Sequence, residues 1–419
     1  MNFIKDFFNK NFIKNDSVYN PFLKLFSGTI LSQIFPILIT PILTRIYTPA
    51  EFGIYSFFMA IIMVLSNITN LRLEIPIIIP KTLIKSNDYF KLSFYINILF
   101  SIISFLIILL FGDLIVKSLD VDINFYYMLL IPFLTFIIGV NKSLYYYINR
   151  QDKYNKLSLT PVIRSSITNI SNLVFSFSAY GLLIAQFFGR ITTLIFLIIN
   201  EKLNFNFNFK TLKNDLKVNR VYITTDTPAA LISSLNSNGI GIFATPIFGS
   251  LIGGSFALVN KFIGAPVDLI STSFLDVFKK EANEEYQAKG HSKVTFKKVT
   301  KGMISLTIIP FILFFLYSEE VFVIFFGDKW LQAGFYAKIL IPMIFLKMLS
   351  RPLSFMFYIV NKQHFNLIGQ LINFLFLITS VIVGFYFNSP LYFVYSLSVL
   401  SSVFYGVYIF LSYKFSFNK

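Results

Sequence analysis

The feature that most limits what this chain can become is a succession of apolar runs, each about as long as a bilayer is thick. They lie near 22–47, 51–71, 91–111, 124–147, 157–178, 181–200, 221–248, 252–276, 302–317, 332–360, 366–387 and 390–413. A helix needs roughly 20 residues to cross hydrocarbon, and a segment in lipid must satisfy its own backbone polar groups. The runs are continuous rather than alternating, and too long for the strands of an outer-membrane barrel. The chain therefore reads as an all-α membrane protein with twelve transmembrane helices. A hydrophobic content of 55% against 13% charged residues fits no ordinary soluble domain.

The net charge of +16 is placed by topology. With twelve spans and the N-terminus inside, 25 of the 36 Lys and Arg fall in the termini and connecting segments on the cytoplasmic side. The opposite side carries two, Lys117 and Lys329, beside Asp113, Asp120, Asp122, Glu319, Glu320 and Asp328. This is the positive-inside bias, and it puts both termini in the cytoplasm. The basic excess reports orientation and contact with anionic membrane lipids, so no nucleic-acid partner is expected. The first apolar run continues past signal-peptide length without a small-x-small cleavage site and reads as a retained helix. A multi-pass protein of a bacterial inner membrane is the expectation. With no Cys, disulfides and thiolate metal sites are excluded. His291 and His364 lie far apart in predicted loops, so no metal or other cofactor is expected.

The two halves are weakly alike. "TPILTRIYTPAEFGIY" from Thr40 aligns with "TPIFGSLIGGSFALVN" from Thr245, "LLIP" ending at Pro132 with "ILIP" ending at Pro342, and "YYINRQDKYN" with "YIVNKQHFN"; "FGD" occurs at 111–113 and at 326–328. The expected organisation is an N-terminal six-helix lobe over 1–200, a cytoplasmic linker over 201–220 and a C-terminal six-helix lobe over 221–419. Six helices are an even number, so the repeats are parallel, as in one class of transporter. The natural substrate position is the cleft between the lobes.

Nine basic residues remain inside or bordering the spans: Arg45, Arg72, Lys142, Arg164, Arg190, Lys261, Lys338, Lys347 and Arg351. Intramembrane ions are costly and normally face protein or water, although a long side chain near a helix end can snorkel. Lys261 and Arg190 lie too deep for that and read as cavity-lining. Lys347 and Arg351, four apart, share a face and repel unless an anion or carboxylate sits between them. Lys142, Arg164 and Lys338 lie nearer span ends and read as structural. Asp268, seven residues after Lys261, falls on the same face two turns on. Asp226 and Thr227 before Pro228 read as a helix-capping start. "NSNGIGIFATP" reads as a flexible or broken helix inside a span, and it carries Asn236 and Asn238, with Ser233 shortly before it. In "TNLRLEIPIIIP", Arg72 is 22 residues past Ala50, about 33 Å of helix, and so reaches the cytoplasmic interface. Residues two apart do not face each other on a helix, so Arg72 and Glu74 read as unpaired with one another. The polar segments on the outer side are short and carry no nucleophile with a base, which argues against an enzyme.

"LSQIFPILITPILTRIYTPAEFGIYSFFMAI", "NLRLEIPIIIPK", "GGSFALVNKFIGAPVDLISTSFLDVFKKEANEEY" and "FGDKWLQAGFYAKILIPMIFLKMLSRPLSFMFYIVNKQ" together resemble the polysaccharide-biosynthesis flippases of the Wzx type, which serve O-antigen and capsule synthesis. That family belongs to the multidrug/oligosaccharidyl-lipid/polysaccharide exporter superfamily. The resemblance implies a V-shaped pair of six-helix lobes that carries an undecaprenyl-diphosphate-linked oligosaccharide from the cytoplasmic to the periplasmic leaflet by alternating access. It implies a cationic cavity for the diphosphate, for which Arg45, Arg72, Arg190, Lys261, Lys347 and Arg351 are the candidates, and polar contacts for the sugar, for which Ser233, Asn236 and Asn238 are the candidates. Glu74 and Asp268 are candidates for coupling to protons, sodium or membrane potential. The implied partners are the lipid-linked substrate, membrane lipids, and the polymerase and chain-length proteins of the same pathway. A cation-coupled drug exporter of the same superfamily and a membrane polysaccharide polymerase or ligase are the rival readings.

Overall fold

The computed structural model describes residues 16–118, 124–201, 203 and 209–417, and among them there is no strand. The long helices are α1 (Asp16–Ile46), α2 (Pro49–Ile68), α3 (Leu83–Ser118), α4 (Leu130–Asn149), α5 (Tyr154–Val174) and α6 (Gly181–Ile198). After a short linker helix, Phe209–Val218, follow α7 (Thr227–Phe248), α8 (Ser250–Lys289), α9 (Lys293–Phe326), α10 (Leu331–Leu353), α11 (His364–Tyr386) and α12 (Pro390–Ser416). Ten helices among the described residues are long and apolar enough to cross a membrane. The expected spans at 157–178 and 221–248 are helical as well, but α5 and α7 are richer in Ser, Thr and Asn than the rest.

Packing divides the chain into two units. One takes the described residues of Met1–Leu43, Leu65–Leu114 and Asn124–Pro228; the other takes those of Thr44–Val64, Ile115–Ile123 and Ala229–Lys419. In the first unit, Ile77, Phe90, Leu144, Tyr147, Ile148, Leu157 and Leu197 form a core. The linker is tied down at both ends. Lys85 at the start of α3 pairs with the buried Asp215, and Glu201 accepts from Gln151, Lys153 and Lys156 at 2.9–3.1 Å. Burial alone would raise the Glu201 carboxyl, but the hydrogen bonds from Lys156, Lys153 and Gln151 outweigh it and hold the group below the usual carboxylate range. A depressed carboxylate stabilises the fold above its unfolded pKa, about 4.3, and that contribution is lost as pH falls through the folded value. The thermal midpoint in detergent is therefore expected to drop on acidification below about pH 4.5. Glu201→Gln is expected to lower the midpoint at neutral pH and to flatten that acid limb.

In the second unit, α10 packs on α8, α9 and α12, and Trp330, the chain's one tryptophan, is fully buried. The first half of α2 crosses α8 at backbone contact distance. A methyl group added at Gly254 would lie 1.7 Å from the Pro49 carbonyl oxygen, and one at Gly53 would lie 1.8 Å from that of Ser250.

Three sequence readings change here. α7 runs unbroken from Thr227 to Phe248, so "NSNGIGIFATP" is not a broken helix; Gly239 instead makes room for the Leu377 side chain and Gly241 for Ala60 and Ser56. Asp226 does not cap a helix start, because it ends a π-helical turn, Tyr222–Asp226, already running into α7, and the Thr227 hydroxyl donates back to the Tyr222 carbonyl. The two "FGD" copies differ, since Gly112 is helical whereas Gly327 terminates α9 at φ +97°, a conformation side chains disfavour.

Candidate functional site

The "TNLRLEIP" stretch leaves the helix before its charges. α2 stops at Ile68, and Leu71 and Arg72 take left-handed backbone angles, φ 48° and 60°. Such angles cost roughly 1–2 kcal/mol for each non-glycine residue, so the turn must be held by its surroundings. Thr69 donates to Asn97 Oδ1 at 2.7 Å, and the Asn70 amide donates to the Gly139 carbonyl and the Ser143 hydroxyl at 2.9 Å. Leu73 on the same turn is fully buried. The turn brings Arg72 Nη1 to 3.4 Å from Glu74 Oε1, a pairing that a continuing helix would have forbidden. The reading of the two as unpaired is corrected for that reason.

Glu74 is 2% exposed, and Arg72 and Lys142 lie in its electrostatic reach. Lys142 lies in the electrostatic reach of Glu74, Arg72 and Arg190; its ammonium donates to the Ser66 carbonyl at 2.8 Å and to Asn67 Oδ1 at 2.6 Å. The Arg190 backbone is fixed on α4 by the Asn141 amide, which donates to its carbonyl at 3.1 Å. Arg72 and Lys142 thus share the Glu74 carboxylate, and Arg190 joins the cluster through Lys142. Glu74 Oε2 and Arg72 Nε are buried without a hydrogen-bond partner. Lys142, read as structural from its position in the span, belongs to this cluster. The sequence signal was its polar flank, Asn141 and Ser143, both buried in the structure.

The remaining candidates lie in the second unit. "TRIYTPAEFG" is a helix start tied to its neighbours: Glu51 accepts from the Thr48 N–H and hydroxyl at 2.6 and 2.9 Å, while the Glu51 N–H donates to the Thr48 hydroxyl at 3.3 Å. This is a reciprocal capping box with Pro49 at the first helical position. The Trp330 indole N–H donates to the Thr44 carbonyl at 3.0 Å, and the Lys329 ammonium to the Tyr47 carbonyl at 2.9 Å. The Arg45 side chain is exposed. Arg45 precedes the 20-residue α2, and Arg72 follows it.

Lys261 sits in a π-helical turn, Asn260–Gly264, inside α8, with its ammonium 5.7 Å from the Phe52 ring at the Arg45 end of α2. No carboxylate lies within ion-pair distance of it among the described residues, since the ten ion pairs found there do not include it. The π turn changes the register, so Asp268 does not continue the Lys261 face as two α turns would have it. Asp268 Oδ1 accepts from Arg351 Nη1 at 2.7 Å instead. This is the carboxylate that the Lys347 and Arg351 face called for; Lys347 itself is exposed. Asn236 is engaged on both sides of its amide, donating to the Gln370 carbonyl at 2.8 Å and accepting from the Asn373 amide at 3.1 Å. Asn238 donates to the Ser234 carbonyl one turn back, and Ser233 is exposed.

The described residues thus hold ten helices long and apolar enough to cross a membrane, half-buried cations at Arg72, Lys142, Arg190 and Lys261, and no cluster of metal-ligating side chains. The chain resembles an inward-facing multidrug resistance MATE family transporter of the MOP superfamily, at 13% identity, a TM-score of 0.70, and coverage of 92% of this chain and 93% of that one. It also resembles the lipid II flippase MurJ in an inward closed conformation, at 15% identity, a TM-score of 0.68, and coverage of 94% and 87%. A third likeness is the MATE multidrug transporter DinF-BH, at 16% identity, a TM-score of 0.65, and 98% of both chains. At these identities the likeness is one of fold. No curated protein matches the chain. The model of a family described as "Polysaccharide biosynthesis protein" matches residues 42–334, and the chain belongs to that family.

Proposed function

We propose that this protein moves an undecaprenyl-diphosphate-linked oligosaccharide from the cytoplasmic to the periplasmic leaflet of a bacterial inner membrane by alternating access, for O-antigen, capsule or a related surface polysaccharide. The supporting observation is the cluster of Arg72, Lys142 and Arg190, of which Arg72 and Lys142 lie against the buried carboxylate of Glu74. Two cations against one buried carboxylate, with Arg190 in reach of Lys142, make a basic site that a diphosphate would suit. In a low-dielectric site arginine offers a two-pronged donor and lysine a point charge. In the orientation set by the basic connecting segments this cluster faces the cytoplasm and loads substrate. Lys261, Arg45, Lys347 and Arg351, in the second unit, are the further candidates for contact with the headgroup. A cationic drug would meet repulsion at the loading cluster, which disfavours the exporter reading. The test is a deletion strain: lipid-linked repeat units should accumulate in the cytoplasmic leaflet. Accumulation of single units on the periplasmic side would point to a polymerase or ligase instead.

Glu74 is the candidate for ion coupling. Burial pushes its carboxyl up against the opposing pull of Arg72 and Lys142. While it is protonated Arg72 and Lys142 do not feel its charge, and once ionised it competes with the diphosphate for them. Affinity for a glycosylated lipid diphosphate, whose phosphates are both esterified and do not titrate near neutrality, is expected to fall as pH rises through the Glu74 pKa. Glu74→Gln should remove that dependence; an unchanged pH profile in the variant would assign the coupling elsewhere, Asp268 being the next candidate.

A further inference from the structure

The face of α4 that carries Lys142 continues into an aromatic side chain the loading cluster does not use. Tyr146 is four residues on, hence on the same face, and it lies in the electrostatic reach of both Glu74 and Arg72. It is half-buried, packed on one side against the core of the first unit and against Tyr145, with ring centroids 6.4 Å apart. One turn beyond it, Arg150 donates to the Pro80 and Lys81 carbonyls at 2.8 and 2.9 Å, which fixes the end of the helix against the connection that follows Glu74. Tyr146 is thus a backed ring beside a cationic cluster, displaced from Lys142 toward the polar end of α4.

A lipid-linked glycan has its parts in a fixed order: tail in hydrocarbon, then diphosphate, then the first sugar. Four helical residues rise about 6 Å, the scale that separates a phosphorus atom from the ring of a sugar esterified to it. We propose that Tyr146 is the platform for the first sugar of the substrate, with the pyranose C–H face on the phenol ring and a sugar hydroxyl in hydrogen-bond reach of the tyrosine hydroxyl. The inference rests on the reading that Arg72, Lys142 and Arg190 hold the diphosphate. An aromatic ring offers a large apolar face with a polar tip at little cost in side-chain freedom, and it takes one hexopyranose or another with modest selectivity. The loading site then recognises that a sugar is present, and longer-range contacts read which glycan follows.

The test uses the purified full chain and two probes of equal charge, undecaprenyl diphosphate capped as its methyl ester and the same lipid bearing one N-acetylhexosamine in place of the methyl, with binding of each followed by native mass spectrometry. The wild type is expected to prefer the glycosylated probe by about five- to tenfold, the scale of one aromatic contact. Tyr146→Leu should bring that ratio close to one, and Tyr146→Phe should keep most of it, which also shows that the effect does not come from misfolding. A Tyr146→Leu ratio equal to the wild type's, or a wild type that binds both probes equally, overturns the sugar platform and leaves the diphosphate site standing. Binding of both probes that Arg72→Ala and Lys142→Ala leave untouched overturns the diphosphate site and the platform with it.

Discussion

Alanine in place of Lys142 is expected to cut delivery of the lipid-linked substrate by about tenfold to a hundredfold at equal protein level. A hydrogen bond to a charged group contributes about 1.5–3 kcal/mol, and the upper part of that range is two orders of magnitude in an equilibrium constant. The ammonium has two jobs, however. It donates to the Ser66 carbonyl and Asn67 at the end of α2, and with Arg72 it supplies positive charge beside Glu74. Lys142→Arg keeps the charge and changes the shape, so it should recover a large part of transport. Lys142→Met keeps the stem and loses the charge, so it should transport as poorly as alanine while remaining folded. Quantifying surface polysaccharide in a strain complemented with each variant, with membrane expression measured alongside, separates the two jobs.

Valine in place of Gly254 is expected to prevent the second unit from packing. The alanine methyl alone would lie 1.7 Å from the Pro49 carbonyl oxygen and 3.0 Å from the Gly53 nitrogen. These are backbone atoms at the start of α2, where the capping box of Thr48 and Glu51 fixes the chain. Relief requires α2 and α8 to separate as whole helices, which opens the space under Trp330 and Phe52, whose rings meet edge-on at 5.1 Å. Overpacking of a rigid core commonly costs about 1–3 kcal/mol, and two backbones forced apart stand at or above the top of that range. Gly254→Val should be lost from the membrane fraction or elute as aggregate on fluorescence-detected size exclusion. Gly406→Ala is the control, since nothing lies within 4 Å of where its methyl group would sit.

The helical, membrane-spanning class was legible because it follows from run length alone, a property of composition over about 20 residues that no tertiary contact can reverse. Sites were less legible where the backbone leaves the ideal helix. Arg72 with Glu74 and Lys261 with Asp268 were placed by helical spacing, and both placements failed at a departure from α geometry: the left-handed Leu71 and Arg72 and the π turn at Asn260–Gly264. Pro76 and Pro266, close after these charges, were the visible warnings. Lys142 was undervalued because depth was counted along one helix, while its partners come from the end of α2, the following turn and α6. "TRIYTPAEFG" drew attention for its arginine, yet Thr44, Tyr47, Thr48, Glu51 and Gly53 have the structural work there, through backbone carbonyls and a cap that no charge count reveals.

The central claim is that a lipid diphosphate is loaded on the Arg72, Lys142 and Arg190 cluster and then carried across. Its most direct test is translocation in proteoliposomes: the purified chain is reconstituted with a fluorescent undecaprenyl-diphosphate sugar, and the label remaining accessible to an impermeant quencher is followed over time. The account predicts exchange between leaflets with the wild-type chain and a rate reduced at least about tenfold by the combined Arg72→Ala and Lys142→Ala substitutions, a loss comparable to one or more charged contacts. Exchange at the wild-type rate in the folded double variant, or none in the wild type under an imposed pH gradient, sodium gradient or membrane potential, would contradict it.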